Sequence, residues 1–168
     1  MIAIDNRRTR RLANAVGLAA IVGLMAYALY AEHILGLAAC PLCIFQRIAF
    51  IALGIVFLVA AAHGPAGAMA RIYATLGAVA AGTGASIAGR HFYIQNLPAD
   101  QVPACGPDLA YMLDVFPLSD VLIAMTQGTG DCAEVVWSFL GLSIPGWALL
   151  TFALIIVVAL LQLRAGAR

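Results

Sequence analysis

Four cysteines are the residues whose type and spacing could do chemistry in this sequence. Cys40 and Cys43 form a C-x-x-C motif at the start of a long apolar segment, whereas Cys105 and Cys132 lie far apart in the second half of the chain. A disulfide that spans only two residues restricts the unfolded chain little, so stability is a poor reason for a Cys40–Cys43 bond. The positive end of a helix near Cys43 would instead favour its thiolate, which predicts a reactive pair.

The second pair is compatible with two roles. A Cys105–Cys132 disulfide would close a long loop and stabilise the fold by about 3–4 kcal/mol, so this pair alone could be structural. Half of a zinc site is the alternative for the C-x-x-C motif. Because the second pair has a different spacing and no histidine lies at ligand spacing, we expect no bound metal. Two pairs, one of them poised to react, favour disulfide exchange between the pairs.

The composition excludes a soluble domain as the scaffold that positions these cysteines. The 168 residues are 64% hydrophobic and 10% charged, whereas soluble proteins are about 45–50% apolar and 25% charged. The formal net charge of +1 gives no reason to expect a nucleic-acid partner. We therefore expect a single integral membrane domain over residues 1–168.

Four apolar segments are each long enough to cross a hydrocarbon core of about 30 Å as a helix. Their predicted bounds are residues 12–31, 44–62, 72–89 and 144–163. The sequence thus predicts an all-α membrane protein, a four-transmembrane-helix bundle embedded in a lipid bilayer. Small residues recur along the third segment at Gly77, Ala81, Ala85 and Gly89, although chance spacing explains such a row in an alanine-rich chain.

The charged residues are distributed unevenly between the two sides of the predicted bundle. Seven of the nine arginines lie in the termini and in the link between the second and third segments, and seven of the eight acids lie in residues 32–43 and 90–143. The positive-inside rule therefore predicts cytoplasmic termini and two outer loops. These loops carry all four cysteines, which we expect on the periplasmic side of a bacterial inner membrane. That compartment is oxidising, so two disulfides are expected.

The first apolar segment also resembles a secretory signal, but its length argues against cleavage. A signal has an apolar region of about 7–15 residues, and residues 12–31 exceed that length. A lipobox ending at Cys40 is disfavoured too, because lipidation of Cys40 would leave an odd number of cysteines outside the cell.

The longer outer loop is predicted to contain a short amphipathic helix. After Pro117, apolar residues recur at helical spacing through Met125, and Ser119 is the expected N-cap. Such a helix would lie on the membrane surface, or alternatively pack on other residues of the loop.

Arg47 is the charged residue that departs from this pattern, because it lies within the second apolar segment. It follows Cys43 at i+4 and therefore shares its helix face. A buried arginine near a membrane surface is costly and usually has a partner, and a Cys43 thiolate would be one. Extension of the side chain to a lipid phosphate is the alternative.

Two motifs in this chain resemble those of the bacterial disulfide bond formation protein B (DsbB) family. Residues 40–47 (CPLCIFQR) are similar to the C-x-x-C-x-x-x-R start of the family's second span. Residues 130–134 (GDCAE) and 137–147 (WSFLGLSIPGW) resemble its second signature. The resemblance extends over nearly the whole chain, including the four spans and the order of the cysteine pairs.

The resemblance implies a membrane protein-dithiol:quinone oxidoreductase that generates disulfides for periplasmic protein folding by re-oxidising a DsbA-like thiol oxidase. It implies that the partner's thiolate attacks Cys105, that the released Cys132 attacks Cys40, and that Cys43 then faces the quinone. A DsbA-like partner has a reduction potential of about −120 mV, which is higher than that of the glutathione couple. Glutathione therefore cannot re-oxidise the partner efficiently, and a stronger electron acceptor is required.

The resemblance also implies a quinone site formed in part by Arg47 and His91. Arg47 would hold a quinone oxygen, and His91 matches a histidine near the family's quinone site; a residue at the membrane interface is the alternative for His91. Some relatives have an acid where Gln46 stands, so Gln46 receives no role in proton transfer. Ubiquinone or menaquinone would be the cofactor.

Two other classes of protein fit less well. A structural or transport protein could carry disulfides in its outer loops, but the predicted spans contain no acidic residue in their interiors and few polar groups at mid-depth. A vitamin-K-epoxide-reductase-like enzyme would place its C-x-x-C near the last span, which is not the order found here.

Overall fold

The computed structural model describes residues 7–106 and 109–165, which form a bundle of four long helices and a segment of short elements. The first three long helices are α1 (Arg7–His33), α2 (Pro41–His63) and α3 (Gly67–Gln95). The short elements are α4 (Leu109–Val115), α5 (Leu118–Gln127), a 3-10 turn (Gly130–Ala133) and the antiparallel strands β1 (Ser138–Phe139) and β2 (Leu142–Ser143). The fourth long helix is α6 (Ile144–Ala165).

The four long helices are each long and apolar enough to cross a membrane, which confirms the predicted all-α membrane fold. All four extend beyond the predicted spans, because hydropathy locates only the apolar part of a helix while its hydrogen bonding continues outside. Thus α2 begins at Pro41 and α3 continues to Gln95. Cys43 and His91 consequently lie on helices and not in the loops at 32–43 and 90–143.

Both ends of α2 have local reasons in the sequence. At its start, Cys40 is the N-cap and Pro41 occupies the first turn. Proline fits there because the helix does not use the N–H of a first-turn residue for its own hydrogen bonds. At its end, Gly64 adopts a left-handed conformation with φ of 61°. Arg11 of α1 donates to the carbonyls of Ala61 (3.0 Å) and Ala62 (2.7 Å), which lack partners within the helix.

Small residues let α3 pack closely against α6. Gly77 and Ala81 of the noted row are buried, but the buried row continues through Gly84 and Ala88 instead of Ala85 and Gly89. The ring of Phe152 on α6 lies against Gly84. It is fully buried and stacks on Phe50 of α2, with ring centroids 4.2 Å apart.

The predicted loop helix is present as α5, but its start differs from the prediction. Pro117 is the N-cap, and the Ser119 hydroxyl donates to Asp120 instead of capping the helix. Because proline has its φ fixed near the helical value, the chain enters the helix directly after Pro117. Val121 is buried with Met112 against Phe45 of α2, so one face packs on protein. The side chain of Met125 lies outside the described part of the structure.

We predict that Gly84→Ala destabilises the bundle. A Cβ at this position would overlap the Phe152 ring, and forced overpacking costs about 1–3 kcal/mol. Thermal unfolding in detergent should therefore show a lower midpoint than wild type. Gly82→Ala is the matched control, since no atom lies within 4 Å of its Cβ and alanine is the better helix former by about 1 kcal/mol. Equal midpoints for the two variants would contradict close packing at Gly84.

Candidate active site

The N-terminal end of α2 holds the two cysteines of the C-x-x-C motif close together. Cys40 precedes the helix, and its sulfur accepts a hydrogen bond from the backbone N–H of Cys43 at 3.4 Å. The Sγ atoms of Cys40 and Cys43 lie 3.1 Å apart, and both residues are half-buried. The motif therefore occupies the boundary between the helix bundle and the loops that cover it.

Cys132 reaches this pair from the 3-10 turn. It is fully buried and packs with Leu42 and Ile94. Its side chain is hydrogen-bonded to that of Cys40, and the backbone N–H of Leu42 also donates to its sulfur. Cys40 is thus the middle member of three sulfurs, with Cys43 on one side and Cys132 on the other.

Cys105 lies at the exposed edge of the same region. The N–H of Gly130 donates to the carbonyl of Ala104 at 3.1 Å, which fastens the Cys105 segment to the turn that carries Cys132. A Cβ on Gly130 would lie 2.8 Å from the carbonyl oxygen of Pro103 and 3.0 Å from the Cys105 sulfur. Glycine at position 130 therefore permits the close approach of the two segments.

Hydrogen bonds and burial shift the pKa values of Cys40 and Cys132 in opposite directions. The hydrogen bond with Cys40, together with the backbone N–H groups of Leu42 and Thr129, holds the pKa of Cys132 below its usual range. The same bond to Cys132, the bond to Cys43 and burial raise the pKa of Cys40. Of the two, Cys132 is therefore the thiol that ionises more readily.

His91 belongs to the interior of this site. It is only 2% exposed, so its side chain faces the protein interior and not lipid or water. Its Nε2 lies 3.7 Å from the Cys40 sulfur, and its Nδ1 lies 4.0 Å from the Cys43 sulfur. Gln46, which is also buried, approaches Nδ1 with its side-chain amide at 2.9 Å. Helices α2 and α3 therefore assemble the site jointly.

The contacts of Gln46 and His91 could not be read from spacing along the chain. The metal argument from the sequence considered histidines near the motif, whereas the relevant histidine arrives from α3. Gln46 carried one usable signal, since it is a polar residue at i+3 from Cys43 in an otherwise apolar segment. The sequence argument gave it no role in proton transfer, and the structure assigns it a contact with His91.

Arg47 has a different partner from the one that its spacing predicted. Its Nη1 forms an ion pair with Glu32 at the end of α1, and its Nη2 donates to the carbonyl of Ala28 at 3.4 Å. The prediction of a Cys43 thiolate as its charge partner is therefore corrected to Glu32. A carboxylate makes a strong charge-assisted hydrogen bond with a guanidinium. Pairing within the protein also argues against extension to a lipid phosphate.

A cavity of about 390 Å³ lies beside Cys43 and Arg47. Helices α1, α2 and α6 and the β1–β2 hairpin enclose it, and its lining is mainly apolar and aromatic. The residues that give it this character include Tyr27, Phe50, Trp137, Phe139 and Trp147. Its polar groups include Cys43, Gln46 and Arg47. An apolar space with a few polar groups at one end suits a flat, lipid-soluble ligand.

Comparison with known proteins identifies a family with the same motifs. The family profile described as "Disulfide bond formation protein DsbB" matches residues 10–162. Three relatives named "Disulfide bond formation protein B" are similar over most of their length. That of Marinobacter nauticus is 56% identical over 138 residues (82% of this chain and 82% of the relative). That of Hahella chejuensis is 56% identical over 133 residues (79% and 81%), and that of Acinetobacter baumannii is 50% identical over 147 residues (87% and 85%).

We predict that Cys132 of the reduced protein reacts with an alkylating agent at a lower pH than an ordinary thiol. A lowered pKa means that the thiolate persists as the pH falls, and the Cys40 hydrogen bond is its largest cause. Cys40→Ala removes this hydrogen-bond partner and should move the midpoint of Cys132 alkylation, followed by mass spectrometry, to higher pH. Cys43→Ser retains Cys40 and serves as the control. An unchanged midpoint in Cys40→Ala would contradict the effect assigned to Cys40.

Proposed function

Because the chain belongs to the DsbB family, we infer that it is a membrane protein-dithiol:quinone oxidoreductase. In this proposal it oxidises the thiols of a periplasmic DsbA-like thiol oxidase and passes the electrons to the membrane quinone pool. The observation that carries the proposal is the position of Cys43. Its side chain lines the apolar cavity, and Cys40 connects it to Cys132 on the other side.

The proposed exchange begins at the exposed cysteine. A thiolate of the partner attacks the Cys105 sulfur of a Cys105–Cys132 disulfide, which forms a mixed disulfide and releases the Cys132 thiolate. The partner's second thiol then breaks the mixed disulfide, which leaves the partner oxidised and Cys105 reduced. Exposure of Cys105 supports its role as the point of attack, since Cys132 is fully buried.

The released Cys132 thiolate is the proposed nucleophile of the second exchange. It attacks the Cys40 sulfur of a Cys40–Cys43 disulfide, so that a Cys132–Cys40 bond forms and Cys43 leaves as a thiolate. The Cys105 thiolate then attacks Cys132, which restores the Cys105–Cys132 disulfide, releases Cys40 and leaves both electrons on Cys40 and Cys43 beside the large cavity. The hydrogen bond between Cys132 and Cys40 supports this choice of sulfur. The lowered pKa of Cys132 supports its role as the attacking group, because a thiolate and not a thiol is the nucleophile.

The residues around the cavity fit a bound quinone. The aromatic and aliphatic lining matches an apolar ring and its tail, and Arg47 supplies a charged donor for a quinone oxygen. When bound, ubiquinone or menaquinone accepts two electrons and two protons and becomes the quinol. Glu32 fixes Arg47 at the cavity. His91, held by Gln46, can place a proton at the Cys40 sulfur through Nε2.

The proposed location is a bacterial inner membrane, with both termini in the cytoplasm and the cysteines on the periplasmic side. The arrangement of the helices supports this orientation. The C-terminal end of α1 meets the N-terminal end of α2 through the Arg47–Glu32 pair, and α3 brings His91 to the same end of the bundle. Arg11 and Arg71, from the basic regions, lie toward the opposite end of the bundle.

We expect the purified protein to couple oxidation of a reduced DsbA-like substrate to reduction of ubiquinone. Quinone reduction should be followed by absorbance in wild type and in Cys43→Ser. Cys43→Ser should lose thiol-dependent quinone reduction, since the sulfur facing the cavity is removed. A structural protein with disulfide-bonded loops would give no thiol-dependent quinone reduction in wild type, and that result would refute the proposal.

Arg47 and Glu32 should act on quinone affinity and not on formation of the cysteine pairs. A hydrogen bond to a charged group contributes about 1.5–3 kcal/mol, so Arg47→Ala should raise the apparent quinone KM about 10–100-fold. Glu32→Gln should raise it less, because Arg47 remains but loses its charge partner. Asp114→Asn, an exposed acid of α4, is the control. An apparent KM that Arg47→Ala leaves unchanged would remove Arg47 from the quinone site.

A further inference from the structure

A second, much smaller cavity also borders Cys43. Its volume is about 30 Å³, too small for a quinone ring but sufficient for a single ion or water molecule. Its lining contains two thiols, one imidazole, two carboxyl-bearing residues and one amide: Cys40, Cys43, His91, Asp131, Glu134 and Gln95. Two soft ligands (the thiols) and one borderline ligand (the imidazole) therefore line a cavity that is large enough for a single ion.

The two thiols and the imidazole have the mutual distances of a metal-binding group. One ligand atom from each of Cys40, Cys43 and His91 lies within 4.8 Å of the others. In a tetrahedral zinc site with bonds of about 2.3 Å to sulfur and 2.0–2.1 Å to nitrogen, ligand atoms are separated by about 3.6–3.8 Å. The Cys40 sulfur and His91 Nε2 are 3.7 Å apart. The two sulfurs, at 3.1 Å, would need to separate slightly.

The surroundings of His91 suit a ligand histidine. A histidine that binds a metal through one ring nitrogen usually donates a hydrogen bond from the other, which fixes the ring. The Gln46 side-chain amide lies 2.9 Å from Nδ1, and with its oxygen turned toward the ring it would accept that bond. Nε2, which faces the Cys40 sulfur, is then free to bind the ion.

We propose that the reduced protein binds one thiophilic divalent cation, with Zn²⁺ as the matching ion, through Cys40, Cys43 and His91. Binding replaces the protons of two thiols with two metal–sulfur bonds and releases two protons, so no electrons are transferred. A Cys40–Cys43 disulfide has no thiolate to offer, so the site exists only in the reduced protein. Because the ion occupies both sulfurs, it would hold the protein in the reduced state until a chelator removes it.

Asp131 and Glu134 add an electrostatic contribution to this preference. Both residues line the small cavity, whereas Arg47 lines the large one. Negative charge beside the thiols attracts a cation, and Arg47 disfavours a cation in the large cavity. The two cavities that border Cys43 are therefore suited to different ligands.

Titration of the reduced protein in detergent with Cd²⁺ tests the site, since Cd²⁺ bound to thiolates gives an ultraviolet charge-transfer band. We expect one ion per chain, displacement by Zn²⁺, and no band after oxidation of the cysteines. Cys43→Ser and His91→Gln should weaken binding at least about tenfold. Cys105→Ser and His63→Gln, a thiol outside the group and a histidine at the other end of α2, should bind as wild type does.

Equal affinity in His91→Gln and wild type, loss of the band in Cys105→Ser, or an unchanged band in the oxidised protein would each overturn the proposal. X-ray absorption of the zinc-loaded wild type requires no variant to fold. It should give two sulfur neighbours at about 2.3 Å and nitrogen at about 2.0–2.1 Å, and a shell of oxygen and nitrogen alone would also overturn it. The site requires only reduced thiols, so its failure leaves the proposed function intact.

Discussion

The rest of the site depends on how the first turn of α2 presents two sulfurs. A helix begins with backbone N–H groups that have no partner within the helix, and here the sulfur of Cys40 accepts one of them from Cys43. This bond holds Cys40 outside the helix while Cys43 lies within its first turn. The two sulfurs therefore stay 3.1 Å apart, and each has a further neighbour of its own, Cys132 for Cys40 and the large cavity for Cys43.

Charge placement around Cys43 follows from the same arrangement. Arg47 lies one turn deeper on α2, at a depth where an unpaired cation is costly, and the last turn of α1 brings Glu32 to it. The ion pair leaves Arg47 beside the large cavity without requiring any charge on Cys43. The hydrogen-bonded pair formed by His91 and Gln46 also lies next to Cys43. Cys43 is thus flanked by a paired cation and by a hydrogen-bonded imidazole, two environments that helices α1 and α3 supply separately.

Much of this could be predicted from the sequence, and the remainder depends on contacts between helices. Hydropathy located four spans because lipid requires long apolar helices, yet it could not locate their polar ends, so Cys43 and His91 were assigned to loops. Arg47 was identified because a charge inside an apolar segment is unusual. The partner of Arg47 was not identified, because i+4 spacing indicates neighbours on the same helix, whereas Glu32 lies on α1. The buried row of small residues on α3 also differs from the predicted row. The ring of Phe152, which lies on another helix, determines where small residues are needed.

The order of burial among the four cysteines constrains how electrons could travel through the protein. Cys105 is exposed, Cys132 is fully buried, and Cys40 and Cys43 are half-buried at the start of α2. A folded partner can therefore reach Cys105 but not Cys132, and a ligand in the large cavity meets Cys43 before any other sulfur. Cys40 contacts both inner neighbours, so exchange must pass through it. An external thiol therefore does not meet the sulfur beside the large cavity directly, because Cys132 and Cys40 lie between Cys105 and Cys43.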